Sequence, residues 1–340
     1  MEINLISDTV TTPTKGMLAA MMSAKVGDDV FKEDATVNAL EEKTAALFGM
    51  EAALFFPSGT MANQTAIKVH TQPGEQLICD HYAHIFNYEG GGVSFNSGVS
   101  CKLIAGHRGM ITAKQVTAAI NPPDFYHSPL TTLVSLENTT NKGGGAIWDF
   151  QEMKAIKEVC TAHGLKFHLD GARLWNALAV TGEDPKLYGN LFDSISVCLS
   201  KGLGCPVGSV LLGSKDFIAK ALRVRKVFGG GMRQAGFLAA AGIYALDHHR
   251  ERLKEDHKKA KEIEAILSEK DFIASVSPVD TNIIIFELNE SVLDTEAFMH
   301  KMDENNIRLI SMGSGKLRLV THLNYTDEMH SHLLSILNRF

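Results

Sequence analysis

Lys166-Phe167-His168-Leu169-Asp170-Gly171-Ala172-Arg173 reads as a short apolar strand that ends in a carboxylate and breaks at glycine. Ile195-Ser196-Val197-Cys198-Leu199-Ser200-Lys201-Gly202-Leu203-Gly204 repeats the design, with an amine just past the strand. Nearly continuous apolar runs suit strands covered on both faces, the usual setting of a parallel sheet. Working outward, Ala52 to Phe56, Gln76 to Cys79, Thr131 to Leu136 and Ser209 to Leu212 are strands of the same kind. Helical patterns separate them, such as Met61 to His70, and the helix that Asp149 caps and Gly164 ends. This alternation predicts an α/β fold: a large domain, residues 1–247, whose mostly parallel sheet is flanked by helices.

Past Asp247 the texture changes. A charge-rich helix is expected from His248 to Ser268, its mixed charges forming a solvated face rather than a nucleic-acid surface. Strands near Thr281–Glu287 and Leu317–Thr321 and helices near Thr295–Asn305 and Asp327–Asn338 predict a smaller α+β C-terminal domain, residues 248–340. The N-terminal segment is free to pack on it.

Composition narrows the function. At 340 residues the chain exceeds one ordinary hydrophobic core. A net charge of −6 offers no electrostatic case for nucleic acid or an anionic membrane. Met1-Glu2-Ile3-Asn4 has no signal-peptide pattern, and the longest apolar stretches, such as Phe237 to Leu246, fall short of the roughly 20 residues a membrane span needs. Five scattered cysteines argue against disulfides or a zinc site and for a cytoplasmic location.

Two strand-end groups carry chemistry. An aldehyde cofactor with a pyridine ring, pyridoxal 5'-phosphate, requires an amine for the aldehyde and a carboxylate for the ring nitrogen. Lys201 and Asp170 supply these types; singly, each also reads as a surface lysine or a helix cap. Arg173 can grip a carboxylate or the cofactor phenolate, or make an ordinary salt bridge. Ser58-Gly59-Thr60, between a strand and a helix, is a candidate phosphate turn, a weak signal alone. Gly229-Gly230-Gly231 precedes another helix and reads as a second phosphate contact or a flexible turn. His84, after a strand, can stack on a planar ring or move protons. His81 and His84 at i, i+3 have no nearby third ligand in sequence, so no metal is expected.

These motifs, in order, resemble the low-specificity L-threonine aldolases, a family of fold-type-I pyridoxal phosphate enzymes. The stretches that carry the resemblance are Ser7-Asp8-Thr9-Val10-Thr11, Val26-Gly27-Asp28-Asp29-Val30, Pro57-Ser58-Gly59-Thr60-Met61-Ala62-Asn63 and Ser135-Leu136-Glu137-Asn138-Thr139. They continue in His168 to Arg173, Cys198 to Gly204, Gly229 to Gln234 and Arg318-Leu319-Val320-Thr321-His322.

The resemblance implies an aspartate-aminotransferase-like fold and reversible cleavage of β-hydroxy-α-amino acids to glycine and an aldehyde. It implies Lys201 as the lysine that binds the cofactor aldehyde, Asp170 at the ring nitrogen, and Gly59 and Thr60 at the phosphate. It places His84 over the ring, His127 near the substrate hydroxyl, and Ser7, Arg173 and Arg318 at the substrate carboxylate. A homotetramer, a dimer of dimers with sites at the dimer interface, is implied too, with Lys226, Arg233 and Phe31 as candidate contacts across it. Ile6, Phe31, Thr140 and Cys205 depart from the commoner family pattern and bear on specificity. β-Elimination or transamination on the same scaffold, and a non-catalytic binding protein, are the competing readings.

Overall fold

Strands that must hide both faces end up stacked between helices, and the computed structural model, which describes all 340 residues, arranges them so. A short N-terminal strand, β1 (Ile3–Asn4), precedes β2 (Ala52–Phe56), β3 (Gln76–Asp80), β4 (Ser100–Ile104), β5 (Thr131–Glu137), β6 (Lys166–Gly171), β7 (Ser194–Cys198) and β8 (Ser209–Gly213). The last seven form one sheet in the order β2-β8-β7-β6-β5-β3-β4. Pairs from β7 through β4 are parallel, and β8 alone runs against its neighbours β2 and β7. Every residue of β3, β7 and β8 is buried, as continuous apolar runs require.

β4 escapes the sequence reading. Its largely exposed Ser-Cys-Lys-Leu-Ile has no clear period, and it becomes a strand by pairing with β3 at the sheet edge. β3, which precedes His84, is therefore one strand in from the edge.

The C-terminal part adds β9 (Ile273–Val276), β10 (Ile283–Leu288), β11 (Ile307–Arg308), β12 (Ile310–Gly313) and β13 (Lys316–Val320). Four of these make an antiparallel sheet in the order β12-β13-β10-β9. β11 pairs in parallel with β1, and the Val320 amide donates to the Leu5 carbonyl at 2.9 Å. The N-terminus is thereby strapped to the C-terminal lobe, and the residues after it cross to the main sheet.

The helix expected over His248–Ser268 begins at Leu253, and His248 ends the helix before it. Gly236–His248 and Leu253–Ser268 are separated by a bend at residues 249–252. His249 turns inward there, its Nδ1 2.7 Å from the Leu203 carbonyl. The bend lets the chain leave one core for the other: Ala239, Ala245 and Leu253 pack with the main sheet, whereas Ala260, Ile263 and Leu267 pack with the smaller one. Polarity along the sequence records neither that change of direction nor its cause. No helix is long and apolar enough to cross a membrane.

Candidate active site

A cavity of about 300 Å³ opens where β2, β6 and β7 end. Ser58, Gly59 and Thr60 enter it after β2, Asp170 from the end of β6, Lys201 after β7, and His84 after β3. The carboxyl ends of strands are where open α/β sheets place ligands, because loops there diverge and leave a crevice.

One end of the cavity is built for an anion. Ser58 is extended and its Oγ accepts from the Met61 amide at 3.1 Å, which starts the helix Gly59–His70. Amides of that first turn have no partner inside the helix and attract negative charge. A Cβ on Gly59 would meet only Cys198 Sγ, at 3.7 Å, so the chain's own packing does not occupy this space. Lys201 is half-buried, and its Nζ finds only Cys198 Sγ, at 3.6 Å. The Lys201 carbonyl, held by Thr11 Oγ1 at 3.0 Å, anchors the turn instead. Asp170 is buried, and Oδ1 accepts from the Ala172 amide at 3.1 Å, which leaves acceptor capacity on the carboxylate. An unpaired amine, a buried carboxylate and an anion cradle around one cavity are the donor set that pyridoxal phosphate needs, and these residues fit it.

His84 sits in a strongly acidic setting. Its backbone amide donates to Glu137 Oε2 at 2.8 Å, and its Nδ1 lies 3.0 Å from Glu89 Oε1. Burial disfavours a charged ring, yet the Glu89 hydrogen bond and the charges of Asp170, Glu89 and Glu137 raise the His84 pKa above its usual value. Glu137 lies directly across from Asp170 on neighbouring strands. Burial, reinforced by Asp170, pushes its carboxyl up to about 7, although the Asn141 and His84 amides pull the other way. His84, Glu89 and Asp170 each bring a ligand atom within 4.8 Å of the others, an arrangement absent from the sequence reading. Glu89 is the site residue that reading missed. It lies five residues past His84 beside three glycines, and no local pattern marks it.

Two arginines meet at the other end. Arg173 is buried, and its fork closes on Asp8 with Nε–Oδ2 at 2.8 Å and NH2–Oδ1 at 2.7 Å. Burial opposes an ionised Asp8, but the Arg173 charge and hydrogen bond outweigh it and hold the carboxyl at about 2. The Lys201 charge acts on Asp8 in the same direction, so amine and arginine flank one carboxylate. Arg318 donates to Asn141 Oδ1 and to the Ile6 carbonyl, both at 3.0 Å, while its Nε is buried without a partner. Arg173 NH1 reaches the same Asn141 oxygen at 3.4 Å. The two guanidinium groups thus share the Asn141 amide oxygen, while only Arg173 grips a carboxylate, Asp8, an excess of positive charge that calls for another anion.

The remaining candidates lie elsewhere or in minor roles. Ser7 caps a short turn, its Oγ accepting from the Thr9 amide at 3.2 Å. His127 is exposed on the loop before β5, at the opposite end of that strand from Glu137, and stacks against Tyr126. The chain's own fold does not bring His127 to this cavity, because a whole strand separates them. Phe31 and Lys226 are exposed, and Arg233 pairs with Asp28 at 2.7 Å. Thr140 donates to the Arg108 carbonyl at 2.9 Å, and Cys205 is buried in the main core.

The beta-eliminating lyase family matches residues 4–291. Low-specificity L-threonine aldolase 1 of Arabidopsis thaliana is 42% identical over 340 residues, covering 98% of this chain and 94% of that protein. The low specificity L-threonine aldolase of Escherichia coli K12 is 42% identical over 327 residues, 96% of this chain and 95% of that protein. Among solved structures, the threonine aldolase of Leishmania major superimposes with a TM-score of 0.85 at 21% identity, covering 99% of both chains. At that identity the likeness speaks for the fold alone.

Proposed function

This chain belongs to the beta-eliminating lyase family, and on that premise we propose that it is a pyridoxal 5'-phosphate-dependent carbon–carbon lyase, a low-specificity L-threonine aldolase. Its reaction is the reversible cleavage of L-threonine, L-allo-threonine and related β-hydroxy-α-amino acids to glycine and an aldehyde, acetaldehyde in the case of threonine. The cofactor, when bound, supplies a sink for the electron pair released as the Cα–Cβ bond breaks. Lys201 would hold its aldehyde carbon, Asp170 its ring nitrogen, and Ser58, Gly59 and Thr60 its phosphate, all of which line the one cavity. Arg318, with Arg173 behind it and Ser7 nearby, takes the substrate carboxylate and so sets which Cα bond is aligned for cleavage. His84, or a water it positions, accepts the β-hydroxyl proton.

The observation that carries this reading is the buried, partnerless Nε of Arg318, beside an Arg173 whose carboxylate partner, Asp8, also feels the charge of the unpaired Lys201 amine. An α-amino acid satisfies both ends at once. Aldehyde release measured over a panel of L and D, threo and allo, β-hydroxy amino acids tests it, with Lys201→Ala as the inactive control. Pyruvate and ammonia from serine, or 2-oxobutanoate and ammonia from threonine, would reassign the protein to β-elimination. A keto acid with pyridoxamine phosphate would reassign it to transamination.

The working assembly is a homotetramer, a dimer of dimers. Val30, Lys226 and Val227 (82% exposed) line an apolar hollow, with the 69% exposed Phe31 next in sequence to Val30, and burying this surface against a second copy removes that apolar area from water. His127 acts at a substrate hydroxyl only if it reaches the site of a neighbouring subunit. Five unpaired cysteines are in keeping with a cytoplasmic location.

A further inference from the structure

A buried polar chain leads away from His84 through the main sheet. Glu89 is itself buried and accepts from Asn63 Nδ2 at 3.0 Å and Gln64 Nε2 at 2.6 Å, with His84 Nδ1 3.0 Å from Oε1. Asn63 Oδ1 accepts from Ser196 Oγ at 2.6 Å and faces His168 Nε2 at 3.2 Å. His168 Nδ1 lies 2.8 Å from Ser194 Oγ, which lies 2.7 Å from His70 Nε2. An amide oxygen only accepts, so His168 carries its proton on Nε2, and the Ser194 hydroxyl donates to Nδ1 and accepts from His70. Burial keeps both rings neutral, with His168 at about 3 and His70 at about 4. Every donor in the chain therefore points toward Glu89. With donors on both oxygens and no donor of its own, an ionised carboxylate fits there and an amide does not. Gly92 belongs to the same construction: a Cβ there would stand 2.7 Å from Gln64 Cδ, so the missing side chain is what lets Gln64 reach Glu89.

We propose that Glu89 is a positioning residue for the cleavage reaction, holding His84 as the Nδ1–H tautomer so that Nε2 presents its lone pair to the β-hydroxyl proton or to one water between them. The proposal rests on the aldolase reading above. His84 is faced by Glu89 from its own segment and by Asp170 and Glu137 from β6 and β5, with Tyr88 beside its ring and Lys142 over Tyr88. Loss of the Glu89 charge alone lowers the pH at which His84 gives up its second proton, while Asp170 and Glu137 keep it partly raised.

The test uses cofactor-loaded enzyme with ¹⁵N-labelled histidine, the His84 signals identified with a His84→Gln sample. Wild type should show His84 protonated at Nδ1 above its pKa. In Glu89→Gln the charge that holds the Nδ1 proton is lost, so the Nε2–H form should gain population. kcat should fall by about 10² or more, the scale of a lost general base, with KM within a few-fold and the acid limb of the pH profile moved to lower pH. Glu89→Asp should keep the tautomer and recover part of the rate. An unchanged tautomer or pH profile in Glu89→Gln overturns the proposal. If that variant does not fold, wild type decides: a His84 proton found on Nε2 rather than Nδ1 above its pKa overturns the proposal, and one on Nδ1 supports it. Wild type that shows the Nδ1–H tautomer yet releases no aldehyde overturns the aldolase reading and not the hold of Glu89 on His84.

Discussion

Asp8 decides how much charge the arginine end of the site can carry. Its two oxygens satisfy the Arg173 fork and also take the Asn282 amide at 3.1 Å, all away from water. Removing one partner of a buried ion pair leaves the other charge uncompensated, a cost of about 3–5 kcal/mol. Asp8→Ala should therefore lose stability on that order in urea unfolding at pH 7, whereas a loss under 1 kcal/mol would show that Arg173 finds another anion. The pH dependence follows from a carboxyl held at about 2 against an ordinary 3.8. A depressed pKa contributes stability that is complete above pH 3.8 and disappears as pH falls toward 2, about 2 kcal/mol for this shift. The sequence placed Ser7-Asp8-Thr9 at the site through a family motif, but Arg173 was expected to face substrate. That Asp8 closes its fork depends on a contact between residues 165 apart in the chain.

The helix Gly59–His70 joins the two halves of the polar construction: its first turn forms the anion cradle, Asn63 and Gln64 hold Glu89, and His70 ends the chain through Ser194. Its start was legible because Ser followed by Gly and Thr after an apolar strand is a capping pattern. Gly59→Ala separates folding from binding. The added methyl meets only Cys198 Sγ at an ordinary contact distance, and alanine favours a helix. The cofactor-free protein should thus keep or slightly raise its melting temperature, while cofactor affinity, read by fluorescence titration, should fall at least tenfold. Equal affinity in the variant would mean that the phosphate does not approach Gly59. The bend after His248 was not legible, since the helical pattern continues across a corner made by His249 reaching Leu203.

Three imidazoles, the buried His168 and His257 and the half-buried His70, tie the main sheet to its surroundings as neutral groups. His257 Nε2 lies 2.9 Å from Asn176 Oδ1, which links the helices Leu253–Ser268 and Leu174–Thr181. Burial lowers all three, to about 4, 3 and 4 respectively. Depressed values mean stability that is complete above pH 6.5 and lost as pH falls through the folded-state values, because the unfolded chain takes up these protons first. Calorimetry should find the melting temperature falling steadily from pH 6.5 to 4.5. A flat profile over that window would place these rings in water.

The strand alternation, the large mostly parallel sheet followed by a smaller one, and the convergence of Ser58-Gly59-Thr60, Asp170 and Lys201 at strand ends were determined by the sequence itself, because burial on both faces of a parallel sheet and the turn after each strand are written in contiguous residues. Glu89 under His84, Asp8 across Arg173 and the displacement of His127 from its own cavity were decided only by the tertiary structure. Hydrogen-bond partners and shared charge depend on which strand ends converge in space, and no period in the chain encodes that distance.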